Sequence, residues 1–142
     1  MQNKKEVLTS ILKTAQMGQV GIRAVIKYAI RPDLKLALES QLKEYDTIES
    51  EAYSIANSRG WELKELDSIA KVMAKGYART RLGFDYNDSK IAQMMIRGST
   101  NGMLKSLISK HHTIKDDEKI KHLLQKTLDC QQANIKQMQG YV

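Results

Sequence analysis

Residues 14–30 read TAQMGQVGIRAVIKYAI, and the fold turns on whether this stretch is one helix despite Gly18 and Gly21 in its interior. Each glycine costs a helix interior about 1 kcal/mol relative to alanine. Yet Leu8, Leu12, Ala15, Gln19, Ile22, Ile26 and Ala29 recur at intervals of three and four, which is one face of a helix. The glycines therefore need a compensating reason. They leave gaps in which a neighbouring helix can approach closely or a bulky side chain can insert. Tyr45 is the expected filler, and room for a small ligand is the alternative.

Working outward, Pro32 and Asp33 end this helix and start another, since proline breaks a helix interior and aspartate caps well. The second stripe is Leu34, Leu38, Gln41, Tyr45, Ile48, Ala52 and Ile55. A third runs through Ile91, Met94 or Met95, Gly98, Asn101 or Gly102, Leu104 and Ile108. The fourth is Ile120, Leu124, Thr127, Gln131, Ile135 and Met138, opened by a capping box from Thr113 to Asp116. Arg59-Gly60-Trp61, Leu82-Gly83-Phe84 and Gln139-Gly140-Tyr141 share a stop signature, in which glycine supplies a left-handed turn and the aromatic folds back. The expected helices span residues 4–30, 33–59, 62–82, 88–111 and 115–139 in a single domain over 1–142.

Short turns make the first and second long helices antiparallel neighbours, and likewise the third and fourth. A second helix of about 26 residues is about 39 Å long, and the shorter helix after it can carry the chain back along the bundle. The expected fold is all-α, two antiparallel hairpins joined by a long crossover. A faint repeat supports it: an offset of 86 positions lays Leu38 on Leu124, Leu42 on Leu128, Gln41 on Thr127 and Tyr45 on Gln131. Glycine pairs recur as well, Gly18 and Gly21 in the first helix, Gly98 and Gly102 in the third.

The 142 residues carry 23 Lys and Arg against 16 Asp and Glu, a net charge of +7 that permits attraction to nucleic acid or anionic lipid. No basic run of five occurs. Cys130 is the sole cysteine, which rules out an internal disulfide and fits a reducing compartment. It has no neighbour to activate it and is read as inert. No signal-peptide stretch and no run of 18 apolar residues is present, so the expected location is cytoplasmic, with no membrane partner.

QMGQVGIR (Gln16 to Arg23) and MIRGSTNG (Met95 to Gly102) complete the pattern. Together with the crossover, the chain resembles a family of small, uncharacterised bacterial proteins of the ferritin-like superfamily, whose first and third helices carry acidic residues around their glycines. The resemblance implies a ferritin-like four-helix bundle and raises a carboxylate-bridged pair of metal ions. Such a site needs glutamates from two helices and Glu-x-x-His from the other two. Here residues 7–30 and 90–110 hold no Asp or Glu. The second helix has Glu39, Glu44, Asp46, Glu49 and Glu51 but no histidine, and Glu118 with His122 is a single pair. A standard di-iron site is excluded on composition, and no metal or cofactor is expected.

At the level of the missing carboxylates the stripes carry Gln19, Gln41, Tyr45, Asn101, Thr127 and Gln131. These are read as a neutral hydrogen-bonded layer inside the bundle, or alternatively as stripe-edge residues facing water. Lys71, Lys75 and Arg79, at i, i+4 and i+8 beside Tyr77, Phe84 and Tyr86, form the candidate anion-binding stripe, suited to phosphates and stacked bases. His111 and His112 fall in a turn. No Walker loop or nucleophile–His–acid set is present. The reading is a non-enzymatic, self-associating structural or interaction module. A divergent metal-binding bundle and a basic nucleic-acid-associated bundle are the alternatives.

Overall fold

A computed structural model describes residues 3–83, 85–111 and 116–142, and among these the ordered elements are all helical. They are α1 (Lys4–Val25), continued by a 3₁₀ turn at Ile26–Tyr28, α2 (Pro32–Ser58), α3 (Ser68–Leu82), α4 (Asp88–His111) and α5 (Glu118–Gln139). Asn3 caps α1 through a reciprocal bond pair with Glu6, and Asp67 and Asp117 cap α3 and α5.

The ends differ from the sequence expectation in instructive ways. The α1–α2 turn is closed from outside: the Asp88 carboxylate accepts from the backbone N–H groups of Ile30 and Arg31, and Pro32 occupies the first turn of α2. Of the three glycine stops only Gly60 is left-handed, at φ 67°, with Trp61 N–H returning to Ala56 O. Gly83 and Gly140 remain right-handed, and α5 ends by tight bonds from Gly140 and Tyr141 to Gln137 and Met138. Glycine permits a left-handed turn without requiring one. The third helix begins at Ser68, not 62, because Trp61 to Asp67 run as an irregular strap pinned by Leu66 N–H to Gln16 Oε1 at 2.7 Å. Phe84, His112 and Thr113 lie outside the described residues.

α1 packs on α2, α3 and α4, α2 on α5, and α4 on α5. Cross-helix pairs set the directions. Gly18 meets Tyr45 and Gln16 meets Glu49, so α1 and α2 are antiparallel. Thr14 beside Gly102 with Ile30 beside Asp88, Gln41 beside Gln137 with Glu51 beside Lys126, and Ser106 beside Gln131 with Lys110 beside Gln125 make α1/α4, α2/α5 and α4/α5 antiparallel too. Hence α2 and α4 run the same way, joined by residues 59–87 with α3 in their middle. The shared core is aliphatic, with Leu8, Leu12, Ile22, Leu34, Leu38, Ile48, Ile91 and Ile120 fully buried.

At one end the Arg59 guanidinium grips Asp117 with two bonds, at 2.5 and 2.9 Å, and lies over the Trp61 ring at 5.0 Å. This clamp ties the end of α2 to the start of α5.

Candidate functional site

Two of the four paired glycines are explained by a side chain inserted from the hairpin partner. A Cβ on Gly18 would stand 2.5 Å from Tyr45 Cε2, so the buried phenol ring lies directly on the α1 backbone. A Cβ on Gly102 would overlap the amide nitrogen of Gln131, which is also buried. Tyr45 and Gln131 are the pair that the sequence repeat superposes, each reaching from the second helix of a hairpin onto a glycine of the first. Gly21 and Gly98 face open space.

Around these two insertions lies a neutral polar interior. Asn134 Nδ2 donates to Tyr45 Oη at 3.4 Å, and Ser99 is a further hydrogen-bond neighbour of that phenol, whose ionisation is pushed up by burial. Ser106 Oγ donates to Gln131 Oε1 at 3.2 Å. Next to Asn134, the Cys130 thiol donates to Glu44 at 2.9 Å. Burial first, and the Glu44 carboxylate second, push that thiol up to about 12. Cys130 is therefore expected to label slowly with a thiol reagent at neutral pH in the folded protein and promptly in denaturant. Equal rates in a timed absorbance assay would contradict this protonated, shielded state.

The structure does not gather the whole expected layer. Gln41 is buried one turn away; its amide donates to Gln137 at 2.9 Å, and its Oε1 has no partner among the described residues. Thr127 returns its hydroxyl to Leu123 O within α5. Gln19 sits at the α1–α2 edge, donating to Asp46 and Glu49, beside Gln16, which binds Glu49 and Tyr53. Asn101 is exposed. Its misplacement has a clear cause: α4 turns a different face inward than Leu104 and Ile108 suggest. The inward residues are Ile91, Ala92, Met95, Ser99, Ser106 and Ser109. Serine beside a glycine-lined contact lets α4 and α5 approach closely and gives Gln131 a partner. Cys130 and Asn134 share the inward face of Gln131 and Thr127, so their helical spacing was a readable signal. Nothing in the local pattern marked Ser99 or Ser106.

Among the described residues no group of three or more His, Cys, Asp or Glu side chains is placed to hold a metal ion. Asp46 and Glu49 accept from glutamine amides, and Glu44 accepts from the thiol. An open groove of about 1020 Å³ bounded by α2, α4 and α5 has Cys130 and Ile48 in its wall and Glu44, Lys121, Lys126 and Asp129 around it, charges of both signs.

The outer surface is less ordinary. On α4, Ser106 and Ser109 are 3% and 1% exposed while Leu104, Leu107 and Ile108 are 58%, 45% and 48% exposed. On α3, Ala78 and Leu82 face inward and Ile69, Val72, Met73 and Tyr77 face water. Of the basic stripe, Lys75 and Arg79 are exposed, but Lys71 is half-buried on the side nearer α1. No described helix is long and apolar enough to cross a membrane.

No family model, no curated protein and no solved structure matches this chain.

Proposed function

We propose that the chain is a ferritin-like helical bundle without the metal-site carboxylates, acting as a structural module that associates with a second copy of itself. The topology supports the first half. Two antiparallel hairpins related by a weak repeat, with a long crossover returning the chain between parallel α2 and α4, are the features that support a ferritin-like reading. Tyr45 and Gln131 fill the level at which carboxylates would stand.

The inverted face of α4 carries the second half. A soluble helix normally puts leucine inward and serine outward, and burying one such aliphatic side chain contributes about 1.5–3 kcal/mol. Leu104, Leu107 and Ile108 form an exposed apolar patch on a helix whose charges from Ser89 to Lys110 are all cationic, so two copies meeting α4 to α4 would be held by apolar burial, against a like-charge repulsion that salt screens.

Sedimentation equilibrium of the wild type is expected to show a dimer or larger assembly. Leu104→Ser with Ile108→Ser is expected to weaken it at least about tenfold, equivalent to about 1.4 kcal/mol, while the helical circular-dichroism signal stays. A monomeric wild type at high concentration would overturn the reading. So would stoichiometric iron or manganese in protein purified without chelator.

A further inference from the structure

The outward arc of α3 carries apolar side chains flanked by cations, while its opposite side packs on α1. At about 100° per residue, Ile69, Val72, Met73 and Gly76 cluster on one side, directly opposite Ala78. Tyr77 lies at its edge. Ile69, Val72 and Met73 are 67%, 68% and 69% exposed. Lys75 and Arg79 border the arc on one flank and Arg81 on the other, with the Arg81 guanidinium 5.7 Å from the centre of the Tyr77 ring. Ser68–Leu82 contains no Asp or Glu. Ala78 and Leu82 face the protein, while Ile69, Val72 and Met73 face water.

We propose that α3 is an anionic-membrane-surface element: Ile69, Val72 and Met73 enter the headgroup–acyl boundary while Lys75, Arg79 and Arg81 engage lipid phosphates. An interfacial helix combines these two features, an apolar arc and cationic side chains that snorkel at its margins. Nucleic acid would use the cations but leave three aliphatic side chains in water. A second copy lacks the complement. Two α3 arcs set face to face would oppose their cations. The other large exposed apolar patch, on α4, is in a segment with no carboxylate from Ser89 to His111. The acidic α2 exposes only Leu36 among its large apolar residues. A bilayer containing anionic lipid supplies both the negative charge and the apolar layer. This surface is separate from the α4 patch, so either proposal can fail alone.

The test is flotation of the full chain with vesicles of phosphatidylcholine alone and of phosphatidylcholine mixed with phosphatidylglycerol. Wild type is expected to float with the mixed vesicles only, and less as salt rises. Val72→Ser with Met73→Ser, and separately Lys75→Glu with Arg79→Glu, are each expected to lower the bound fraction at least about tenfold. All four positions are exposed, so unchanged circular dichroism and melting temperature are expected alongside. Leu104→Ser with Ile108→Ser should still float. Absence of flotation with anionic vesicles overturns the proposal. Duplex DNA binding that ignores Val72→Ser with Met73→Ser would assign the cations to nucleic acid instead. A fall in oligomer mass in that variant, without any vesicle binding by the wild type, would assign the arc to a second copy.

Discussion

Arg59→Ala is expected to destabilise the protein by about 3 kcal/mol, because it strands a buried carboxylate. Asp117 is 5% exposed and is satisfied by the Arg59 guanidinium, by the Ile120 N–H and, at 3.9 Å, by Lys4. The guanidinium beside it holds its carboxyl below the ordinary value of 3.8, against the opposing effect of burial. The consequence for pH has a definite sign. A carboxylate whose folded value is depressed adds stability that is present above the unfolded value and lost as pH falls through the folded one. Wild type and Arg59→Ala should therefore differ most near neutrality and converge in acid, below 3.8. Urea titrations at several pH values measure this directly. A constant difference would mean that Arg59 acts mainly by stacking on Trp61. Asp117→Asn keeps the helix cap and removes the charge, so a double-mutant cycle with Arg59→Ala separates the ion pair from the cap.

Gly18→Ala and Gly21→Ala should move stability in opposite directions although they lie one helical turn apart. Alanine at Gly21 meets nothing within 4 Å and is expected to gain about 0.4–1 kcal/mol through helix propensity and a less flexible unfolded chain. Alanine at Gly18 collides with the Tyr45 ring, which is buried and bonded to Asn134 and so has little freedom to retreat. Overpacking at the upper end of its usual range, about 3 kcal/mol, less the propensity gain of about 1, leaves a net cost of about 2 kcal/mol. Tyr45→Leu in the Gly18→Ala background should recover part of that loss. If both alanine variants stabilise equally, the ring is not seated on the α1 backbone. Gly98→Ala, also facing open space, serves as a second stabilising control.

Periodicity, Pro32 and the Gly60 turn were sufficient to specify an all-helical chain, its two hairpins and the returning crossover, because spacing and backbone restrictions act within a few residues. The repeat went further: it laid Tyr45 on Gln131, the two side chains that the fold seats on Gly18 and Gly102, although only Tyr45 was expected as a filler. What the chain pattern could not assign was the rotation of each helix. On α4, Leu104 and Ile108 suggested an inward face, but close packing against α5 and the partner needed by Gln131 turned Ser106 inward instead and Asn101 outward. On α3 the same kind of choice placed alanine against α1 and left Ile69, Val72 and Met73 in water. Asp117 fell inside the expected fifth helix, whereas the structure starts that helix at Glu118 with Asp117 as its cap. Its grip on Arg59, distant along the chain, exists only once α2 and α5 lie side by side. Local sequence determines which segments coil and where they stop. Which face each buries depends on the volume and hydrogen-bonding needs of side chains contributed by other helices, and those meet only in the folded chain.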